Sequence, residues 1–292
     1  MARSTLDSLQ PYLELMKPRV LLLVLFTGLP VFAMSSGGWP PPLVAASILL
    51  GITLAGGAAN TLNCYLERDR DALMERTRKR PLPSARIGPR AALAFGLGLS
   101  VVATALLYAV GGGVAASLGA ATILFYVFVY TLLAKPRTIW SAIIGGFAGA
   151  ASPLIADAAV HGHPGAAGWL LFGIVFFWQP PHVWAITLYR RSDYDRAGIP
   201  VPPSRVGEDR TRRRMFWSAL PLWPTTLALQ PLGLVGGLYT ASALLLDLWF
   251  AAELWRIRRR PEPSAARRVF AVSLAYLGLL FAAMFLDRLL LA

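Results

Sequence analysis

Long apolar runs separated by short charged segments set the pattern of this chain. The runs occupy positions 20–34, 43–66, 91–109, 114–133, 138–159, 167–189, 215–235, 238–255 and 269–291. A helix that crosses the hydrocarbon core of a bilayer needs about 20 such residues. Inside lipid every backbone amide has to be bonded within the structure itself, which helices achieve. The pattern therefore predicts an all-α, polytopic membrane protein of about nine transmembrane helices. The first run is short and is read as extending back through Met16. The seventh and eighth are separated only by Gly236 and Gly237 and are read as a tight helical hairpin.

Composition supports the same class. Hydrophobic residues make up 56% and charged residues 15%, against roughly 25% charged in a soluble protein, and a soluble fold of this length could not hide that much apolar side chain. A net charge of +13 by itself would suggest nucleic acid, but its placement argues against that partner. Of 28 Lys and Arg residues, all but Arg288 fall in the N-terminal segment (Arg3, Lys17, Arg19) or in the loops after the second, fourth, sixth and eighth runs. In a nine-helix chain these all lie on one side, and the positive-inside rule puts that side in the cytoplasm. The N-terminus carries Asp7 and Glu14 and lacks a short apolar core followed by a small-residue cleavage site, so the first run is read as a retained helix. One cysteine, Cys64, excludes an intrachain disulfide, and three histidines make a histidine-rich metal cluster implausible. The whole chain, 1–292, is read as one transmembrane domain.

Polar residues then mark one end of the helices. After the second run the chain reads Asn63, Glu67, Asp71 at intervals of four, a spacing that keeps all three on one helical face. Oxygen donors stacked in this way suit Mg²⁺, which is usually completed by phosphate oxygens and water; a charged helix end that merely marks the interface is the plainer alternative. The loop after the sixth run supplies Asp193 and Asp195 among arginines. Two acidic clusters four helices apart, each embedded in arginines, hint at a parallel internal repeat with two related half-sites. Arginine forks bind phosphate in bidentate fashion, and carboxylate-bound Mg²⁺ with Arg and Lys is the apparatus for a leaving diphosphate. A diphosphate with an apolar tail would keep its head at the interface and its tail in the bilayer. Arg76, Arg80, Lys135 and Arg137 are the cations expected to converge on it.

Deeper in the sixth run lie Trp178, Gln179, Pro180, Pro181 and His182. Polar side chains in an apolar span are functional candidates by default. Gln179 and His182, one turn apart there with Trp178 beside them, are read as such a polar pair. A histidine satisfied by a neighbouring helix is the alternative. His161 and His163 fall in a short external loop, and Gly145, Gly146 and Gly149 suggest close helix packing.

With these residues assembled, nearly the whole chain resembles the protohaem IX farnesyltransferase family, a branch of the UbiA superfamily of intramembrane prenyltransferases. The resemblance rests on Lys17-Pro18-Arg19, on Asn63-x3-Glu67-x3-Asp71 followed by Met74-x-Arg76-Thr77-x2-Arg80-Pro81-Leu82, on Tyr130-Thr131-x3-Lys135, on Gly149-Ala150-x2-Pro153, on Trp178-Gln179-x-Pro181-His182, and on Asp193-Tyr194-x2-Ala197-Gly198-Ile199-Pro200-Val201. It departs in two places: the family's first motif usually has aspartate where Glu67 stands, and the residue four after Asp193 is Ala197, so Asp193 stands alone at that spacing. The resemblance implies a UbiA-like bundle around a central chamber. It also implies transfer of a farnesyl group from farnesyl diphosphate to a vinyl group of haem b, giving haem O, with Mg²⁺ as cofactor, Asn63, Glu67, Asp71 and Asp193 as its ligands, and His182, as iron ligand or hydrogen-bond partner, with Gln179 and Trp178 facing the haem. Implied surroundings are membrane lipid and a haem-A synthase or oxidase-assembly partner, in a bacterial cytoplasmic membrane. A prenyltransferase acting on a quinone precursor or chlorin shares the diphosphate apparatus and differs in the acceptor pocket. A transporter of an anionic lipid or metabolite would carry polar residues through the bilayer, whereas the non-cytoplasmic halves of these helices are nearly free of charge.

Overall fold

The structure is a computed structural model and describes residues 5–35, 38–262 and 264–291; Arg3 lies outside them. Among the described residues there are helices and no strands. In chain order they are α1 (Thr5–Met16), α2 (Pro18–Met34), α3 (Pro42–Leu73), α4 (Pro89–Leu124) running on into a π-helix (Phe125–Ala134), α5 (Ser141–Gly149), α6 (Ser152–His161), α7 (Ala166–Tyr189), α8 (Arg191–Arg196), α9 (Pro202–Arg205), α10 (Glu208–Ala219), α11 (Leu222–Leu227), α12 (Gly237–Arg259) and α13 (Ala265–Leu291).

Six helices among the described residues are long and apolar enough to cross a membrane, and a seventh is obtained if α1 and α2, bent by 48° at Lys17, count as one span. The nine predicted runs map onto these helices with three departures. The first span is the bent pair, and the short reading at 20–34 covers its second arm. The third and fourth runs form one continuous helical segment, Pro89–Ala134, of 46 residues; laid straight at 1.5 Å per residue it would reach roughly 70 Å, about twice a bilayer core. It breaks instead at Gly112, whose φ of 75° and ψ of −177° belong to a region essentially reserved for glycine. Beyond that break the segment folds back on itself, since Leu107 Cδ1 lies 2.6 Å from where a Cβ on Gly119 would stand. The seventh run, 215–235, holds Pro221 and Pro224 and is split into the end of α10, the short α11 and a turn, because proline removes a helical donor and clashes with the preceding turn.

The core lies where α2, α6, α7, α12 and α13 meet, with Phe32, Leu171, Trp178, Tyr239, Tyr276 and Phe281 all buried. A separate apolar cluster of Leu62, Ala103, Ile123 and Val127 welds α3 to the doubled-back segment. Outward-facing leucines and tryptophans, among them Leu43, Tyr108, Trp169, Leu245 and Leu290, remain exposed, as a lipid-facing surface requires.

Two acidic side chains tie helix starts together at the end of the bundle away from the basic loops. Asp157 accepts hydrogen bonds from the Gly165 and Gly168 amides, at 2.6 and 3.0 Å, and from His161 Nδ1, at 2.7 Å. Asp287 accepts from the amides of Gly236 and Tyr239 at the start of α12. Asp247 lies within α12, buried and bonded by Thr226 Oγ1 at 2.7 Å and by Tyr276 OH at 2.6 Å. Each satisfies backbone or hydroxyl donors that would otherwise be orphaned in an apolar interior.

Candidate active site

Asn63, Glu67 and Asp71 share the inward face of the last turns of α3 and are all buried, as their spacing predicts. Each takes a partner from a different stretch of chain. Lys17 Nζ donates to Asn63 Oδ1 at 2.9 Å, from the left-handed bend (φ 58°) between α1 and α2. Asn63 Nδ2 donates to Thr131 Oγ1 at 3.1 Å. Lys135 Nζ donates to Glu67 Oε2 at 2.6 Å, and Arg80 donates to Asp71 Oδ2 at 2.7 Å. Asn60, one turn earlier, donates to the Met16 carbonyl and so pins the bend itself.

The second acidic cluster is brought to the same end by its loop. Met74 packs with Ala197, Ile199 and Val201 in one apolar cluster, and Asp193 accepts the Glu75 amide at 3.3 Å and pairs with Arg196. Burial pushes the Asp193 carboxyl up, but the Glu75 and Arg76 amides and Arg196 outweigh it and hold it below its ordinary value. A carboxyl with a depressed value in the folded state contributes stability that is full near neutrality and is lost as pH falls through that depressed value. Around Arg80 and Lys135 burial favours the neutral forms, yet Asp71 in the first case and Tyr130 with Glu67 in the second raise both above their ordinary values, so both are cations.

Two oxygens are left over. Glu67 Oε1 and Asp193 Oδ2 are buried without a hydrogen-bond partner, which is costly for a carboxylate unless something of opposite charge completes it. No cluster of three or more His, Cys, Asp or Glu side chains with ligand geometry occurs among the described residues. Mg²⁺ does not need one, since it is typically held by one or two carboxylates together with substrate phosphates. The remaining expected residues divide. Arg76 is exposed, with its backbone amide rather than its side chain on Asp193. Arg137 is exposed and donates to the carbonyls of Leu132 and Leu133, at 2.8 and 3.3 Å, closing the end of the π-helix. Asp195 is exposed and faces Arg191 at 3.5 Å.

Beneath the charged end lies a cavity of about 260 Å³ between α2, α3, the π-helix, α5, α6 and α7. Its wall is mostly apolar, with Asn60, Tyr126, Tyr130, Ser152 and Gln179 as polar points. The wide turn of the π-helix, seen in the Lys135 amide bonding to the Tyr130 carbonyl at 2.9 Å, sets Lys135 Nζ 5.7 Å from the centre of the Tyr130 ring. Glycines on α5 make room for the wall: a Cβ on Gly145 would stand 2.8 Å from the Tyr130 ring, and one on Gly149 2.2 Å from Gln179 Nε2. Gln179 Oε1 is buried and unpartnered.

His182 is not part of this wall. With Trp178 it occupies the neighbouring face of α7, stacked on the Trp178 ring at 4.4 Å and tilted against the Phe270 ring at 4.7 Å. Its Nδ1 meets Ser273 Oγ of α13 at 2.7 Å, and Trp178 Nε1 donates to the Ser273 carbonyl at 2.7 Å. His182 and Trp178, expected to face the chamber, lie off this cavity: positions 178 and 182 share one face, 179 and 183 the next, and it is the second that lines the cavity. Sequence reasoning missed Lys17 and Thr131 as site members. The Lys17-Pro18 pair, which forces a bend before a helix, was the available signal for the first.

The sequence pattern of the UbiA prenyltransferase family matches residues 23–286. A protohaem IX farnesyltransferase of Gloeobacter violaceus is 42% identical over 281 residues, covering 96% of this chain and 92% of its own length. Another, of Methylorubrum extorquens, is 43% identical over 281 residues, covering 95% and 88%. Among solved structures, a digeranylgeranylglyceryl phosphate synthase superposes with a TM-score of 0.81 at 16% identity, over 97% of this chain and 99% of that one. A UbiA homologue from Archaeoglobus fulgidus bound to GPP and Mg²⁺ superposes with 0.63 at 17% identity, over 94% and 99%. At such identities the two structures speak for the fold.

The Glu67–Lys135 pair yields a stability prediction. Lys135→Met leaves a buried carboxylate unpaired and is expected to destabilise the purified protein by about 3–5 kcal/mol, while Lys135→Met with Glu67→Gln recovers most of the loss. Equal thermal unfolding midpoints for the single and double variants would show that the pair is not the origin of the effect.

Proposed function

The chain belongs to the protohaem IX farnesyltransferases of the UbiA prenyltransferase family, and from that membership we propose how its own side chains carry farnesyl transfer from farnesyl diphosphate to haem b. The observation that supports the reading best is the pair of buried, unpartnered carboxylate oxygens, Glu67 Oε1 and Asp193 Oδ2, at the end of the bundle where Arg80, Lys135 and Arg196 gather.

These donors fit a hard divalent cation, with Glu67 and Asp193 supplying free oxygens and Asn63 and Asp71 beside them. Mg²⁺, when bound, neutralises charge on the diphosphate. Arg80 and Lys135 bind the diphosphate oxygens, with Arg76 reaching them from the exposed loop; Arg137, engaged with the end of the π-helix, contributes to the rim. The C1–O bond breaks with its electron pair leaving on diphosphate, and the farnesyl unit becomes an allylic cation. The terminal carbon of a haem vinyl group donates its π pair to C1. The new cation beside the macrocycle takes the oxygen of a water molecule, which gives up a proton, and the product is the hydroxyethylfarnesyl side chain of haem O.

The apolar cavity holds the isoprenoid tail and keeps water from the first cation. Tyr126 and Tyr130, tilted against each other at 4.9 Å on its wall, offer ring faces that favour a cation. Gln179, with its amide oxygen free, positions the acceptor. His182 and Trp178 hold α7 against α13 and so fix the angle at which Gln179 meets the cavity. The product is passed to a haem-A synthase or oxidase-assembly partner. The 1–292 chain acts as one domain in a bacterial cytoplasmic membrane, with the N-terminus and the basic loops in the cytoplasm, as the placement of 27 of its 28 Lys and Arg residues favours.

Purified protein incubated with haem b, farnesyl diphosphate and Mg²⁺ is expected to give haem whose mass has gained one farnesol unit, and addition of chelator should stop it. Haem of unchanged mass, with prenylation of a quinone precursor in its place, would contradict the haem reading. For the orientation, Gly162→Cys in intact cells should react with a membrane-impermeant maleimide while Ser84→Cys stays protected; the reverse labelling would invert the topology.

A further inference from the structure

A second basic pocket lies outside the diphosphate site, between the cytoplasmic ends of α10 and α12. Arg212 and Arg213 on α10 and Arg258 and Arg259 on α12 surround a cavity of about 380 Å³, with Asp209 the acidic residue at its edge. Arg212 is nine-tenths buried. Its two terminal nitrogens are taken by Glu208 at 3.0 Å and Asp209 at 2.6 Å, yet its Nε–H is buried and has no acceptor. Among the described residues Arg213, Arg258 and Arg259 have no carboxylate within ion-pair distance. The pocket therefore carries three uncompensated positive charges and a buried donor waiting for an acceptor, a state that an anion would relieve.

Aromatic rings fix these guanidinium groups in place. Arg258 lies over the Trp255 ring at 4.7 Å and over Phe216 at 5.3 Å, and Arg259 lies over Trp255 at 4.9 Å. Trp217 and Trp255 are themselves 61% and 43% exposed, and Leu220 and Leu248 continue an exposed apolar surface from them along α10 and α12. Exposed tryptophan at a helix end, with arginine on one side and leucine on the other, is the arrangement found at the level of lipid headgroups. Basic pockets between helices on the cytoplasmic side take phosphate-bearing heads, and juxtamembrane arginines add attraction for anionic lipid. A freely dissolved phosphate would use the arginines and leave the tryptophan–leucine surface unexplained.

We propose that this pocket is a binding site for the phosphate headgroup of an anionic phospholipid, whose acyl chains lie along Trp217, Leu220 and Leu248. Its place in the molecule gives such a lipid a route to the catalytic end. Glu208, which holds Arg212, also faces Arg191 at 4.0 Å, and Arg191 faces Asp195 two residues from Asp193.

The test uses the full chain in detergent, titrated with dioleoyl phosphatidylglycerol and, separately, with dioleoyl phosphatidylcholine, with bound lipid counted by native mass spectrometry. The wild type is expected to bind phosphatidylglycerol at least roughly tenfold more tightly, in keeping with the attraction of several arginines. Arg258→Gln with Arg259→Gln should abolish that preference, whereas Lys79→Gln with Arg90→Gln, which removes the same charge from the loop after α3, should keep it. Equal affinity of the wild type for the two lipids overturns the proposal, as does an unchanged preference in the Arg258 and Arg259 variant. Displacement of phosphatidylglycerol by millimolar inorganic phosphate overturns the lipid assignment in favour of a soluble anion. The comparison of the two lipids on wild-type protein decides the matter even if the double variant fails to fold.

Discussion

Burying carboxylates inside an apolar bundle is the constraint on which the active end depends. Glu67 and Asp71 are compensated there by Lys135 and Arg80, which reach them from other segments of the chain, and an unpaired charge in that place would cost several kcal/mol. The pairing is incomplete by one oxygen on Glu67, and Asp193 has another. Complete satisfaction would make a stable but inert polar knot. The leftover oxygens, together with cations that already neutralise the rest, are the features from which a metal and diphosphate site is proposed.

Much of the surrounding backbone is shaped to bring those partners in. The left-handed bend at Lys17 turns its ammonium onto Asn63 and is itself held by Asn60 on the Met16 carbonyl. The π-helix widens the turn from Phe125 to Ala134, so that Tyr130, Thr131 and Lys135 all address α3 or the cavity. These two departures from regular α-helix lie beside the buried carboxylates, and irregular backbone in a membrane is tolerated where it is buried in protein or lines a cavity. Glycines on α5 complete the arrangement by letting Gln179 and Tyr130 approach closer than any larger residue would permit.

The parts of this that were legible in the sequence are those carried by local periodicity. Runs of apolar residues gave the helical membrane class, and intervals of four placed Asn63, Glu67 and Asp71 on one face. Contacts between distant positions were not legible by spacing: Lys17 meets Asn63 across 46 positions and Thr131 meets it across 68. Periodicity also tells which residues share a helical face without telling which face meets the cavity, so His182 and Gln179, one turn apart, were read together although they look in different directions. The seventh run was predicted as one helix from its apolar content, and in the structure Pro221 and Pro224 divide it. The third and fourth spans were legible as separate runs, and Gly112 supplies the backbone conformation that separates them.

Glu67 and Asp193 together are proposed to hold a metal ion that a prenyl diphosphate completes. Binding of Mn²⁺, as a paramagnetic substitute for Mg²⁺, to the purified protein tests it directly when followed by electron paramagnetic resonance in the presence of an unreactive farnesyl thiolodiphosphate. The account predicts one tightly bound Mn²⁺ in the wild type, weakened at least roughly tenfold, or about 1.4 kcal/mol, by Glu67→Gln and by Asp193→Asn, with the variants still folded. Unchanged Mn²⁺ affinity in the folded Glu67→Gln and Asp193→Asn double variant would contradict it.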